Sequence, residues 1–233
     1  MTQTRRERVR AETTVEIKEI AIQQMAEQGA AALSLRAIAR EMGMSAPALY
    51  RYFPNRDALV TALIVDAYNS LTDALQTADD GQEAGDYNGR FRATAHAYRE
   101  WALAHRAEYA LIYGTPIPGY EAPREQTVLP AARVNFVIGY ILNEAQQAGK
   151  LTIPETYLHV SPDFQAQLDE LAAMIPEENV HAGGVLLTIM IISRLHGLVW
   201  GELDEHFAPH IADSGELFAV EISEMCDRMK IEN

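Results

Sequence analysis

Apolar residues recur along most of this chain at the three- and four-residue spacing of a helix with one buried face. Val15, Ile17, Ile20, Ala21 and Met25 form a first stripe and predict a helix over about 12–28, stopped by Gly29. Ser34 is a natural cap for a short helix over 35–42, with Leu35, Ile38, Ala39 and Met42 facing inward. After Gly43, Ser45 caps a second short helix whose first turn holds Pro47, where no backbone donor is missed. Leu49 and Phe53 stand one turn apart and anchor that helix to the core. Asn55 then caps a long helix with Asp57 in its first turn, and its stripe of Leu59, Leu63, Ala67, Leu71 and Leu75 continues to about residue 78.

The polar, glycine-rich run over 79–89 breaks the pattern and predicts a loop that hinges a head to a body. Helical spacing resumes over 90–105, 106–113, about 127–148, 163–174, 178–204 and 214–230, with Pro/Gly-rich or polar connections between. There is no alternation of the kind that marks strands, no internal repeat and no low-complexity tract. The predicted fold class is all-α: a three-helix head over residues 1–57, opening with a disordered basic arm over about 1–11, and a larger helical domain over 58–233.

Composition adds little to this picture, and charge adds more. With 48% hydrophobic and 22% charged residues the chain has an ordinary globular make-up. Its most apolar stretch, 185–192, falls short of the roughly 18 residues of a membrane span, so no membrane partner is expected. No apolar run follows the N-terminal arginines, so a secretory signal is not expected either. The single cysteine, Cys226, excludes an internal disulfide framework and suits a cytoplasmic location. The net charge of −14 is unevenly spread. Residues 1–60 hold nine Lys/Arg against seven Asp/Glu, a net of +2; the remaining 173 hold ten against twenty-six, a net of −16. A basic end on an acidic body suits contact with a polyanion at one end only.

The segment 34–53 gathers groups that grip a nucleic-acid backbone. Its short helix, glycine turn and second short helix have the layout of a helix-turn-helix. The helix starts at Ser34, Ser45 and Asn55 offer first-turn N–H groups to phosphate. Tyr50 and Tyr52 can each donate a hydroxyl, Arg36 and Arg51 can reach a phosphate or a guanine edge, and Arg56 faces the backbone from the next helix. Ala46 and Ala48 permit close approach but can touch only thymine methyls. Arg40 is expected to be a solvated surface residue, and the Tyr50 ring can pack on a neighbouring helix while its hydroxyl still reaches DNA.

The string GAAALSLRAIAREMGMSAPALYRYFPNRDAL over 29–59 resembles the DNA-binding head of the TetR family of bacterial repressors, a likeness that extends over residues 12–60. The resemblance implies that Tyr50 and Tyr52 contact phosphate and that Arg56 stands where the family usually has a phosphate-binding lysine. It also implies that Arg36, Ala46 and Pro47 face the groove. The body resembles the subgroup with a WHG-type C-terminal domain through WALAHRAEYALIYGTPIPGY (101–120) and RLHGLVWGELDEHF (194–207), and so implies a helical domain that binds a small molecule and dimerises.

In that body, Tyr98, Trp101, His105, Tyr109 and Tyr113 mix aromatic rings with polar tips, and His196 and Trp200 lie one turn apart with Met190 and Arg194 close by. Such residues either wall a ligand pocket or form a core whose polar tips find backbone partners. Val185, Leu186, Ile189, Leu217, Phe218, Val220, Ile222 and Met225 are candidates for a dimer seam, or equally for the internal core. Glu202, His206 and His210 have the spacing of metal ligands, but Pro209 interrupts the run and no metal or other cofactor is expected. No Ser-His-Asp order, Walker loop, HExxH or glycine fingerprint suggests catalysis. The combined expectation is a ligand-responsive repressor, not an enzyme, that binds a palindromic double-stranded DNA operator as a homodimer and is released by a small-molecule effector. An effector-independent DNA-binding regulator or activator is the alternative; an all-α enzyme would need an acid–base pair or nucleophile that the body does not display.

Overall fold

A computed structural model of the chain describes residues 4–175, 179–208 and 210–232. Among these residues the fold is all-α, as the apolar spacing predicts. The helices are α1 (Arg5–Gln28), α2 (Leu35–Glu41), α3 (Ala46–Leu49), α4 (Arg56–Asp80), α5 (Tyr87–Ala104), α6 (Arg106–Tyr113), α7 (Arg124–Gln147), α8 (Pro162–Ala173), α9 (Ala182–Leu203) and α10 (Ser214–Met229). Single 3-10 turns occupy Ala30–Ala32 and Glu155–Tyr157. The expected start of α9 near Glu178, and Pro209, lie outside the described residues.

Helix α1 differs most from expectation, starting at Arg5 instead of near residue 12. Thr4 Oγ1 accepts from the Glu7 N–H at 3.3 Å, and the Glu7 carboxylate accepts from the Thr4 N–H at 2.8 Å. This reciprocal capping box satisfies two donors that a helix end otherwise leaves open. The same backbone bond holds the Glu7 carboxyl below the usual carboxylate range. Apolar periodicity misses these first turns because they bury nothing: residues 5–12 are all exposed.

The chain divides into two compact units. Unit 1 comprises Met1–Asn69 and His105–Ala131, and unit 2 comprises Ser70–Ala104 and Ala132–Asn233. The sequence-based division between 57 and 58 thus differs from the packing: the stripe of α4 runs on unbroken, so nothing in the apolar pattern marks the change of unit. The third change along the chain falls in α7 between Ala131 and Ala132, one residue after Pro130, a proline inside the helix.

In unit 1 the buried core joins Ile17, Ala21 and Met25 of α1 to Ile38 of α2, Leu49 of α3, Leu59 and Leu63 of α4, and Ile117 beyond α6. Polar contacts pin the same elements. The Thr61 and Tyr120 hydroxyls share a hydrogen bond at 2.9 Å, Tyr68 donates to the Ile112 carbonyl at 3.3 Å, and Lys18 pairs with Asp66. In unit 2, α9 lies against α5, α8 and α10 and buries Leu187, Ile191, Leu195 and Val199. By length and composition α9 could cross a membrane, with a mean hydropathy of 1.7 over its most apolar window; its packing against three helices accounts for that character. Arg99 and Glu202 form a two-pronged ion pair in this unit, and the Arg99 guanidinium lies 5.8 Å from the Phe218 ring centre.

Candidate nucleic-acid interface

The outward face of α3 is set by a tight turn. Helix α2 is fixed by Leu35, Ile38 and Ala39, and Ser34 caps it by accepting from the Ala37 N–H at 3.4 Å. At its end Gly43 adopts φ +63°, a conformation that side-chain-bearing residues disfavour, and the Met44 N–H returns to the Ala39 carbonyl at 2.8 Å. The chain thereby reverses into Ser45, whose extended backbone starts α3 with Pro47 in the first turn.

Helix α3 is a single turn, Ala46–Leu49, prolonged by bonds from Arg51 to Ala48 and from Tyr52 to Leu49 at 3.3 and 2.8 Å. Leu49 and Phe53 point into the core. Side chains on the opposite face are left outside: Ser45, Pro47, Tyr50 and Arg51 are exposed, and Ala46, Ala48 and Tyr52 are half-buried. Arg36 and Arg40 are exposed on α2, and among the described residues neither they nor Arg51 has a carboxylate within ion-pair distance. This surface therefore carries two phenols and unneutralised guanidiniums, which are donors a phosphodiester backbone accepts.

The capping residues divide. Ser34 and Asn55 already spend their side chains on their own helices, Asn55 accepting from the Ala58 N–H at 2.8 Å, whereas Ser45 makes no side-chain cap bond. Arg56 is half-buried, with Nη2 donating to the Ala30 and Ala31 carbonyls at 3.0 and 3.2 Å. It thus ties the start of α4 to the turn before α2, with its other guanidinium donors left over for a phosphate. Sequence reasoning missed Arg10. Its Nη2 donates to the Arg51 carbonyl at 3.2 Å and its guanidinium carbon lies 5.3 Å from the Tyr52 ring centre. The only signal available was the capping pattern Thr4-x-x-Glu7, which places Arg10 on a helix instead of in a flexible arm.

The predicted ligand set falls into both units. His105, Tyr109 and Tyr113 belong to unit 1, where Tyr109 is fully buried and the Tyr113 ring meets Tyr109 at 5.0 Å and Tyr68 at 6.0 Å. Tyr98, Trp101, Met190, Arg194, His196 and Trp200 belong to unit 2. There Tyr98 is buried and the Trp101 indole N–H donates to Ser70 Oγ at 3.0 Å. Met190 packs on the Leu168–Val185–Leu186 cluster, and Arg194 pairs with Glu221 and Glu224 at 3.3 and 3.4 Å. His196 stacks on Trp200 with ring centres 6.0 Å apart, and burial pushes its pKa below the ordinary histidine value. Hollows of about 580, 620 and 660 Å³ in unit 2 are lined by other residues. On the face of α5 that carries Tyr98 and Trp101, the buried Thr94 hydroxyl has no hydrogen-bond partner among the described residues. Of the residues weighed as metal ligands, Glu202 is held by Arg99.

Comparison with known proteins adds to this geometry. Residues 17–63 match the family described as bacterial regulatory proteins, tetR family, and residues 91–225 match the tetracyclin repressor-like C-terminal domain. The HTH-type transcriptional regulators Rv1816 of Mycobacterium tuberculosis and Mb1846 of Mycobacterium bovis are each 44% identical to this chain over 130 residues. That match covers 56% of this chain and 56% of each relative, so it spans little more than half their length. The crystal structure of the protein SCO4313 superposes with a TM-score of 0.78 at 38% identity, covering 96% of this chain and all of that one. A tetR-family regulatory protein from Rhodococcus RHA1 shares the fold at a TM-score of 0.64 and 18% identity, over 94% of this chain and 98% of its own.

Proposed function

This chain belongs to the TetR family of bacterial regulatory proteins, and from that premise we propose that it is a ligand-responsive transcriptional repressor. It binds a palindromic operator as a homodimer in the cytoplasm and leaves it when a small-molecule effector binds. The observation that carries the DNA-binding part is the outward face of α3, where Tyr50, Arg51 and Ser45 stand free while Leu49 and Phe53 hold the turn from behind. That face is rich in phosphate donors and poor in base-reading groups. Sequence choice therefore rests on Arg36, Arg51, the shape of the duplex and the spacing of two heads about 34–36 Å apart.

Pairing of two copies is supported by unit 2. Of the seam candidates, Phe218, Ile222 and Met225 are internal and Val185 and Leu186 are also buried, while Ile189 and Val220 remain 43% and 59% exposed and Leu217 is half-buried. Ile189, Ser193 and Gly197 follow one another at four-residue intervals on the exposed side of α9, and a side chain at Gly197 would meet no atom within 4 Å. A partner helix can come close there. Val220→Glu is expected to weaken self-association by about a hundredfold, because it would bury an unpaired carboxylate twice across a twofold axis. Sedimentation velocity over a concentration series reads this directly, and an unchanged dimer would take the face of α10 out of the interface.

The effector part is supported by the aromatic face of α5, which Tyr98 and Trp101 share with the buried Thr94 hydroxyl, a group that has no hydrogen-bond partner among the described residues. A ligand that binds only the DNA-free arrangement releases the operator in proportion to its preference for that arrangement. The effector-independent alternative is favoured by Arg194, which is committed to two glutamates instead of standing free for a ligand. Selection from random duplexes tests the DNA part; the account predicts enrichment of a twofold-symmetric site. A thermal-shift screen of small molecules tests the sensor part, since a ligand of the native state raises its apparent stability. Specific stabilisation accompanied by operator release supports the sensor, and stabilisation by none favours the alternative.

A further inference from the structure

Arg10 is where α1 touches the DNA-facing end of α3. It donates to the Arg51 carbonyl at 3.2 Å and covers the Tyr52 ring at 5.3 Å, so both contacts fall on consecutive residues of the turn that closes α3. Backbone bonds from the Arg51, Tyr52 and Phe53 N–H groups to the Ala48 and Leu49 carbonyls, at 3.3, 2.8 and 3.2 Å, hold the donors of that turn but do not use the Arg51 carbonyl. Helix α3 ends at Leu49, and a carbonyl beyond a helix end has to find its donor outside the helix. Arg10 can supply one only because α1 is helical from Arg5. The capping box of Thr4 and Glu7 secures the first turn, and the Thr14 hydroxyl donates to the Arg10 carbonyl at 2.8 Å. A disordered arm over the same residues would scatter the guanidinium and lose both contacts.

We propose that Arg10 is a positioning residue of the DNA-binding face, holding Arg51 and Tyr52 in their phosphate-facing arrangement without itself contacting DNA. The inference rests on the reading of that face as a DNA contact. The basic N-terminal residues are then not one electrostatic arm: Arg10 acts through geometry, and Arg5 and Arg6, exposed on the preceding turn, act through charge alone.

Salt dependence separates the two roles. Each phosphate contact removed lowers the slope of log affinity against log salt by about one, whereas a looser turn from which Arg51 still reaches its phosphate weakens binding without changing the number of phosphates neutralised. In the full-length Arg10→Gln protein, amide exchange over residues 51–53 without DNA is expected to accelerate severalfold. Affinity for a selected operator duplex is expected to fall about tenfold with an unchanged salt slope, less than the full worth of a charged hydrogen bond and a cation–π contact because the hydrogen bond is solvent-exposed and screened. A slope reduced by about one would make Arg10 a phosphate ligand, and unchanged exchange with unchanged affinity would make the contact idle; either result overturns the proposal. If the unmodified protein binds no DNA, the reading of the face itself fails, and the exchange rates still decide whether Arg10 holds the turn.

Discussion

Replacing Leu49 by alanine should cost unit 1 about 3 kcal/mol and abolish operator binding under conditions where the rest of the chain stays folded. Leu49 is fully buried and is the only buried residue of a four-residue helix. So short a helix has no stability of its own in water, so its direction depends on the side chains that anchor it, Leu49 within the helix and Phe53 just beyond it. Truncating Leu49 leaves a cavity in the core that it shares with Ile38 and Leu59 and loosens the turn carrying Tyr50, Arg51 and Tyr52. Chemical denaturation should show a lower midpoint, and a loss below about 1 kcal/mol would mean that α3 is held by other contacts.

The comparable effect in unit 2 comes from Arg90→Ala. The Arg90 guanidinium binds Asp79 through Nε and Nη2 at 2.7 and 3.1 Å, Glu144 through Nη1 at 2.7 Å, and the Ala84 carbonyl at 3.1 Å. It thereby joins the end of α4, the following loop, α5 and α7, and these partners raise its pKa further above the ordinary arginine value. The Arg90 and Asp79 side chains are 12% and 19% exposed, so alanine would leave Asp79 shielded and unpaired. Glu144 is 54% exposed and solvent screens its share, which sets the expected loss at about 2 kcal/mol, below that of a fully buried pair. Arg90→Lys should recover only part of it, because an ammonium cannot reproduce the planar fork. Thermal unfolding checks both variants, and a wild-type melting temperature for Arg90→Ala would show that the cluster is only a solvated ornament of the surface.

Legibility in the sequence followed from how each element is stabilised. Helices α4 and α10 bury a clear stripe, while α6 and α8 each bury a single residue, Tyr109 and Leu168, and the observed limits of all four lie within a few residues of those read from spacing. The face of α3 was legible because Leu49 and Phe53 fix one side inward and leave Tyr50 and Arg51 on the other. The first turns of α1 were not, because they are held by a capping box and bury nothing. Arg10 was hidden for the same reason: its partners are a backbone carbonyl and a ring forty residues away in sequence. The change of unit inside α4 leaves no mark in composition, and the mix of aromatic rings and polar tips does not separate His105, Tyr109 and Tyr113 of unit 1 from Tyr98 and Trp101 of unit 2.

The proposed function stands on the outer face of α3 gripping the DNA backbone. The most direct test measures affinity for a selected operator duplex across a salt series for the unmodified chain, Arg51→Ala and Tyr50→Phe. The unmodified protein is expected to show a steep inverse salt dependence, Arg51→Ala a slope smaller by about one, and Tyr50→Phe, which loses a neutral donor, a uniformly weaker affinity with unchanged slope. Affinity and slope left unchanged in both variants would contradict it.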